Sequence, residues 1–176
     1  MNVDVNSRLV RFFQNRVQHY NHEKYWKMRG EVVNPHSRKS RFVRWIYLYR
    51  IKRMDAYANA SFGTDMGAGA RFASPPILPH HLNGIIISHH ACFGERCIIF
   101  HQVTVANGED GRSATIGNDC MLGAGSKILG HVTIGNNVRV GANAVVVHDV
   151  PDNCTVAGVP AKIVSRRNDA VSSDAI

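Results

Sequence analysis

The sequence contains no long hydrophobic run. Although 44% of its 176 residues are hydrophobic, no apolar stretch approaches the roughly 20 residues that a membrane-spanning helix needs. The first residues, MNVDVNSRLVRFF, also lack the apolar core of a secretory signal peptide. We therefore expect one soluble, cytoplasmic domain without an integral membrane segment.

Cysteine and acidic residues are both scarce. The four cysteines form no CxxC pair and show no zinc-type spacing, so they predict no metal site. Lysine and arginine outnumber aspartate and glutamate by 21 to 13, which gives a formal net charge of +8. This charge favours anionic partners: nucleotides, nucleic acid, phosphorylated substrates or an anionic membrane face.

A large apolar residue recurs at every sixth position in two blocks of the sequence. The members are Ile87, Phe93, Ile99 and Val105, then Ile116, Leu122, Ile128, Ile134, Val140 and Val146. Neither an α-helix nor a β-strand has a period of six. The stretch ANGEDGRSAT interrupts the pattern, because 11 residues separate the two blocks.

A second position, four residues after each large apolar residue, holds a small or β-branched side chain. Its members are Ala91, Cys97, Val103, Cys120, Ser126, Val132, Val138, Ala144 and Val150. Each hexad is interpreted as a short strand and a corner, with both positions facing a narrow interior. Three hexads then form one coil, and coils stack by parallel pairing about 4.8 Å apart. Cys97 and Cys120 are predicted to fill the core, whereas Cys92 and Cys154 are expected at a surface or corner.

These motifs resemble the left-handed β-helix hexapeptide-repeat acyltransferases, and most closely their serine acetyltransferase-like branch. That branch includes many sugar and polysaccharide O-acetyltransferases. The resemblance is carried by LPHHLNGIIIS, TIGNDCMLGAGSKILG, VGANAVVVHDVPDN and VAGVPAKIV, within about residues 60–166. It implies an all-β fold, a left-handed parallel β-helix of hexapeptide repeats with an N-terminal helical segment. It also implies acetyl-CoA as the acetyl donor, with no metal.

The chain divides into three parts by composition. Residues 1–60 are basic and aromatic, and predict an N-terminal helical cap of two helices broken near Pro35. Residues 61–166 form the predicted acyltransferase β-helix, with a loop insertion at 106–115. Residues 167–176 have too few apolar side chains to fold alone and are expected to be loose.

The adjacent His80 and His81 are the candidate general bases. Histidine suits proton abstraction from a hydroxyl because its pKa lies near the operating pH. Alignment on the LP before the pair indicates His80, whereas alignment on Gly84 indicates His81, and both remain open. Asp65 lies fifteen residues before His80, as the orienting carboxylate does in the serine enzymes that the sequence resembles, so it is the predicted partner of the base.

The resemblance also suggests residues that bind the two substrates. His101, Arg112 and Asn83 are expected to line the acceptor site. The pantetheine arm of acetyl-CoA is expected along small residues, and the motif AGVPAK is expected at the groove mouth. The predicted cofactor-binding residues are Ala106, Ala124, Ala142, Gly158, Pro160 and Lys162. Because the groove needs a second wall, a homotrimer is predicted.

The acceptor is predicted from the positions at which this chain differs from the serine enzymes of the family. The serine enzymes of the family have an aspartate before the histidine, whereas this chain has Pro79, or His80 in the other alignment, and Ser113 stands where they have a second histidine. A sugar or polysaccharide-precursor hydroxyl is therefore the expected acceptor, with serine O-acetyltransferase as the alternative. A metal-dependent carbonic anhydrase-like β-helix is a further alternative, although its H-x₄-H spacing is absent from the hexads. No nucleic-acid-reading motif is present, so no nucleic acid partner is expected.

Overall fold

The computed structural model describes residues 19–167, beginning with two α-helices. Helix α1 is His22–Val33 and helix α2 is Arg41–Tyr57. The side chains of Asn21 and Ser40 accept hydrogen bonds from backbone N–H groups three residues on, and so cap the two helices. Pro35 lies in the break between them, as the sequence predicts. Neither helix in the described range is long and apolar enough to cross a membrane.

The remaining strands are short and stack on three faces. The first face contains β4 (Ile86–Ile87), β7 (Thr104–Ala106), β10 (Lys127–Leu129) and β13 (Val145–Val146). The second contains β3 (Arg71–Phe72), β5 (Cys92–Phe93), β8 (Thr115–Ile116) and β11 (Thr133–Ile134). The third contains β6 (Ile98–Ile99), β9 (Met121–Leu122), β12 (Arg139–Val140), β14 (Cys154–Ala157) and β15 (Lys162–Arg166).

Pairing within each face is parallel, as a β-helix requires, except that β15 returns antiparallel to β14. An antiparallel hairpin of β1 (Thr64–Asp65) and β2 (Ala68–Gly69) lies in the first coil, between Ser61, which bridges to Ile86 of the first face, and β3 of the second face. Successive strands in the chain lie on different faces, so each circuit of the three faces is one coil.

Both repeated positions face the interior. Every large residue of the hexads is at most 4% exposed, and every small or β-branched one is at most 5% exposed. Their burial confirms the interpretation of the six-residue period. Burial also raises the pKa of the Cys97 and Cys120 thiols, the latter to about 11, as expected for core side chains.

The coils differ in length where the sequence pattern is irregular. Val105 pairs with Ile128, 23 residues on, whereas Ile128 pairs with Val146 at the regular 18. The last coil is shorter, and Val150 lies beside Ile134 in a large-residue place instead of the predicted small one. Cys154 is only 1% exposed, so the expectation of a surface or corner position was wrong. It begins β14, whose strand pairing buries it.

Helix α1 covers the open end of the first coil through Arg29. This arginine is buried and donates to the carbonyl oxygens of Phe62 (3.0 Å) and Ala70 (2.6 Å) and to Thr64 Oγ1 (3.0 Å). Its guanidinium also lies over the ring of Trp26, 5.2 Å from the centroid. Backbone carbonyls that would otherwise lack partners are thereby satisfied.

The helices and coils share one hydrophobic core. The rings of Phe72 and Phe93 stack at 4.6 Å between the first two coils, and Trp26 packs edge-on against Phe72 at 4.9 Å. Because the core is continuous, the boundary between residues 60 and 61 remains a prediction. The predicted helical character of residues 1–18 and the predicted loose tail at 168–176 lie outside the described residues.

Candidate active site

One corner of the coils joins the third face to the first, and we call it the histidine edge: residues 78–85, 100–103, 123–126 and 141–144. Gly84 has a φ of +66°, and one residue at the equivalent place in every turn also has positive φ. These residues are His81 (55°), Gln102 (59°), Gly125 (70°) and Asn143 (55°). The left-handed conformation lets the chain turn sharply in each coil.

The residue before each left-handed position forms a column along this edge. Ile77 bridges to Ile98, which pairs with Met121, and Met121 pairs with Arg139. Three residues further on, this register places four residues in one column: His80, His101, Ala124 and Ala142. Backbone hydrogen bonds join the column, from Gly125 N–H to the His101 carbonyl (3.0 Å) and from Asn143 N–H to the Ala124 carbonyl (2.8 Å).

The two histidines of the column are in contact. The rings of His80 and His101 lie 4.8 Å apart between centroids and almost perpendicular, at 87°. The His80 ring also lies 6.0 Å from that of Phe100. His80 is exposed, whereas Nδ1 of His101 is buried and has no hydrogen-bond partner within residues 19–167. The edge therefore presents one open imidazole beside a second imidazole that retains an unused nitrogen.

His81 lies in a different environment. Its ring packs edge-on against Tyr20, at 5.4 Å, and so faces the helical layer. Partial burial, and secondarily the nearby charge of His80, lower the pKa of His81 below its usual range. His81 is exposed like His80, but its ring faces Tyr20 and its backbone occupies the left-handed position of the turn.

Asn83 and Lys127 form hydrogen bonds that connect neighbouring coils along the histidine edge. The Asn83 carbonyl accepts from Gln102 N–H at 2.9 Å. Lys127 Nζ donates to the carbonyls of Gln102 (3.2 Å) and Gly125 (2.9 Å), which lie in successive coils. Lys127 was not among the predicted site residues, although it lies within GAGSKILG, part of a motif that carries the family resemblance.

Asp65 contacts a different histidine from the one predicted. Its carboxylate lies 3.1 Å from Nε2 of His89 and 3.7 Å from Nζ of Lys52. No contact joins Asp65 to His80 within residues 19–167. His89 lies on the next corner, between the first and second faces, which we call the loop edge: residues 88–91, 107–114, 130–132 and 147–149. The expected Asp65–His80 contact is thus not formed within one chain, because the two residues lie on different corners.

Arg112 also lies on the loop edge. Its Nε donates to Asp110 at 2.7 Å, and its backbone N–H donates to the same carboxylate at 2.9 Å. These hydrogen bonds hold the pKa of Asp110 below its usual range. The loop closes through the Gly108 N–H to Arg112 carbonyl bond, 2.8 Å. Arg112 is therefore separated from the histidine edge by the width of the first face.

The predicted cofactor-binding residues divide into two groups. Ala124 and Ala142 stack in successive coils, as expected from their 18-residue spacing. Ala106 instead pairs with Leu129 on the first face. His101 stacks next to Ala124 in the preceding coil, because the inserted loop lengthens the coil between them to 23 residues.

The AGVPAK segment continues the same column at the end of the coils. Val140 pairs with Val156, and the same register two residues on brings Gly158 next to Ala142. Gly158 has φ +94°, a left-handed value that favours glycine. Pro160 follows in an exposed turn, and the exposed Lys162 begins β15. These residues therefore lie at the far end of the column from His80.

The histidine edge is open in a single chain. Two cavities among residues 19–167, of about 590 and 1080 Å³, are lined by the helical layer and the first coil and include none of the column residues. Within residues 19–167, no group of three or more histidine, cysteine or acidic side chains is placed to hold a metal ion.

Comparisons with known proteins agree with this architecture. Residues 113–148 match the bacterial transferase hexapeptide family (six repeats). A serine acetyltransferase of Synechococcus elongatus is 34% identical over 133 residues, which cover 72% of this chain and 54% of the relative. The chain therefore spans about half the length of the curated relatives it matches.

Solved structures give the same result. Serine acetyltransferase from Brucella abortus superposes with a TM-score of 0.62 at 30% identity, over 73% of this chain and 51% of that one. The same enzyme in complex with coenzyme A superposes with a TM-score of 0.62 at 26% identity, over 89% and 56%. The chain is thus a left-handed parallel β-helix of the hexapeptide-repeat acyltransferase family, and belongs to its serine acetyltransferase-like branch.

Proposed function

We propose that this protein transfers an acetyl group from acetyl-CoA to a hydroxyl group, with L-serine as the first acceptor to test. The observation that carries the proposal is the column on the histidine edge. An exposed imidazole at His80 stands at one end, and Ala124, Ala142 and Gly158 continue it with small side chains. Such a strip combines a base with room for a thioester arm. The relatives named above are serine acetyltransferases.

His80 is the proposed general base. It takes the proton of the acceptor hydroxyl while the hydroxyl oxygen attacks the thioester carbonyl carbon of acetyl-CoA. The tetrahedral intermediate then collapses, the carbon–sulfur bond breaks, and CoA leaves as the thiolate, which is reprotonated. No bond to the protein forms, so both substrates must be bound together. His101, in ring contact with His80, is proposed to bind the acceptor together with Asn83.

The small residues of the column are proposed to let the pantetheine arm approach the backbone, and Lys162 to meet a CoA phosphate. A second subunit is proposed to supply the missing wall. In a cyclic trimer two different patches of the chain meet, so the histidine edge of one subunit can face the loop edge of the next. This arrangement would bring Asp65 and Arg112 to the site from the neighbour.

A sugar hydroxyl is the second candidate acceptor, and a specific pair of residues favours it. Pro79 and Ser113 stand where the serine enzymes of the family have an aspartate and a histidine. Without that aspartate, the ammonium group of serine has no obvious carboxylate partner, and an unpaired charge binds poorly. Sugar acceptors lack this ammonium group.

The test is thiol release from acetyl-CoA by the full chain, with L-serine, free sugars and nucleotide sugars supplied separately. Acceptor-dependent release with L-serine supports the main proposal, and release only with sugars supports the second. Titration calorimetry with CoA provides an independent readout. Ala142→Phe should abolish CoA binding, whereas Arg139→Phe, in the same coil but outside the column, should preserve it. Absence of both release and CoA binding would refute the proposed function.

A further inference from the structure

Helix α2 has four exposed large apolar side chains, three of them aromatic. We call this set the aromatic stripe: Phe42, Trp45, Ile46 and Tyr49. Their exposures are 74%, 57%, 38% and 65%. The spacing i, i+3, i+4, i+7 places all four on one side of the helix. The opposite side is buried against the rest of the molecule, through Arg44, Leu48, Ile51 and Asp55. A contiguous stripe of this kind on a surface indicates a contact with something apolar.

Cations surround the stripe. Arg38, Lys39 and Arg41 lie at its N-terminal end, and Arg50 and Arg53 follow its C-terminal end; all five are exposed. The one acidic residue of α2, Asp55, belongs to the buried side. The outward side of the helix therefore combines aromatic rings with positive charge only.

A basic cleft between α1 and α2 adjoins the stripe. Its volume is about 1080 Å³, and Lys24 and Lys27 from α1 line it together with Arg50 and Arg53 from α2. None of these four cations pairs with a carboxylate within residues 19–167, and the described lining residues of the cleft include no acid. Four unpaired cations in a concave surface attract a multiply charged anion, such as phosphate groups.

We propose that the helical layer docks on an anionic phospholipid surface. The aromatic stripe would enter the boundary between headgroups and acyl chains, and the basic cleft would bind the lipid phosphates. A helix that lies in a membrane interface typically presents aromatic side chains flanked by cations, as the outward side of α2 does. The proposal concerns the helical layer and does not depend on acetyl transfer.

The cations around the aromatic stripe favour an anionic lipid surface over a second copy of the chain as its partner. Two stripes that meet face to face would bring Arg50 and Arg53 of one copy close to the same cations of the other, and like charges at an interface are unfavourable. An anionic bilayer instead complements every cation around the stripe. Each lysine or arginine near such a surface strengthens binding roughly fivefold.

The position of tryptophan provides a direct test. The chain has two tryptophans; Trp26 is 8% exposed and Trp45 is 57% exposed. The full chain is mixed with vesicles of phosphatidylcholine alone, or of phosphatidylcholine and phosphatidylglycerol in equal parts. We expect flotation with the anionic vesicles only, together with a blue shift of Trp45 emission and its quenching by brominated acyl chains. Binding should weaken as salt is added.

Two variants separate the parts of the proposal. Arg50→Glu with Arg53→Glu should weaken binding to anionic vesicles by more than tenfold, since two attractive charges become repulsive. Phe42→Ser with Tyr49→Ser should reduce flotation while leaving Trp45 available as the reporter. Arg139→Glu and Val164→Ser, both at exposed positions on the coils, are matched controls and should bind as the unchanged chain does. Circular dichroism confirms that each variant is folded.

Three results would overturn the proposal. One is equal binding to both vesicle types, since the cations would then have no role. Another is absence of flotation combined with a larger oligomer that Phe42→Ser and Tyr49→Ser disperse, which would assign the stripe to a second copy. The last is binding of single-stranded RNA by a chain that does not bind vesicles, which would assign the aromatic stripe and basic cleft to nucleic acid.

Discussion

His80 and His81 are neighbours in the chain but differ in what surrounds them. Both imidazoles are exposed, but His80 contacts His101, whereas His81 packs edge-on against Tyr20 and has a lowered pKa. The difference arises because the chain turns at His81, where φ is +55°. At the residue scale this turn directs one imidazole toward His101 and the other toward Tyr20.

We expect His80→Asn to lower the turnover number by about 10²- to 10⁴-fold, the range typical of a lost general base. His81→Asn is the matched control. Asparagine tolerates positive φ, so this variant should fold and retain activity within about tenfold. Steady-state rates of thiol release measure both. A larger loss in His81→Asn than in His80→Asn would reverse the assignment of the base.

The buried Asp55 predicts a pH dependence of stability. Burial raises its pKa from 3.8 to about 6, although Tyr25 donates a hydrogen bond to it at 2.7 Å. Between about pH 4 and 6 the folded chain therefore holds a proton that the unfolded chain has released. The contribution of this residue to the free energy of unfolding is then fully present below pH 4 and falls as pH rises, by up to about 3 kcal/mol.

Asp55→Asn should remove this dependence while keeping an oxygen that accepts from Tyr25. The unfolding free energy of the unchanged chain, minus that of the variant, should decrease between pH 4 and 6. Urea denaturation at several pH values measures it. A constant difference across this range would show that Asp55 has an ordinary pKa in the folded chain.

At the scale of the coils, close approach between adjacent corners limits what can occupy them. A Cβ atom on Gly117 would lie 2.7 Å from the Gly135 carbonyl oxygen and 2.8 Å from Oδ1 of Asn136. The same Asn136 oxygen accepts from Asn118 N–H at 2.9 Å, and Asn118 Oδ1 in turn accepts from Glu95 N–H at 2.8 Å. These side chains link successive corners, so a displaced corner disturbs its neighbours.

Gly117→Ala should therefore destabilise the chain by about 1–3 kcal/mol, because the backbone of the next coil must move. Gly30→Ala is the control. Gly30 lies in α1 with nothing within 4 Å of an added Cβ, and alanine there should stabilise the helix by up to about 1 kcal/mol. Chemical denaturation of both variants tests the pair. Equal effects would show that the corners adjust freely to a methyl group.

For the whole molecule, the two edges predict a site shared between subunits. His80 and Asp65 lie on different corners of one chain, which a cyclic assembly can bring together across an interface. The histidine edge is also open in one chain, as a groove that needs a second wall would be.

Subunit mixing tests this arrangement. His80→Asn and Asp65→Asn should each be inactive alone. After the two are unfolded and refolded together, about a quarter of the sites should combine an intact histidine edge with an intact neighbouring Asp65, if subunits assemble at random in a ring. Thiol release should recover to about that fraction. No recovery would place the whole site within one chain, and an active Asp65→Asn would remove Asp65 from it.

The six-residue period by itself determined the architecture of the coils. Large residues such as Ile116 and small ones such as Cys120 alternate with a spacing that only a coil of short strands can bury, so their inward orientation was predictable. The motifs likewise determined the family and the candidate base, to within the His80–His81 pair. These features are local: spacing along the chain decides which side of a strand or corner a residue occupies.

Only the tertiary structure decided which residues meet across coils. A loop insertion shifted the stacking by five residues, so His101, and not Ala106, lies next to Ala124. Asp65 contacts His89 because the hairpin that carries it lies between the first and second faces, whereas His80 lies between the third face and the first. Vertical neighbours depend on the length of the intervening coil, and one irregular loop changes the stacking across the coil that contains it. Sequence spacing within a hexad contains no information on that length.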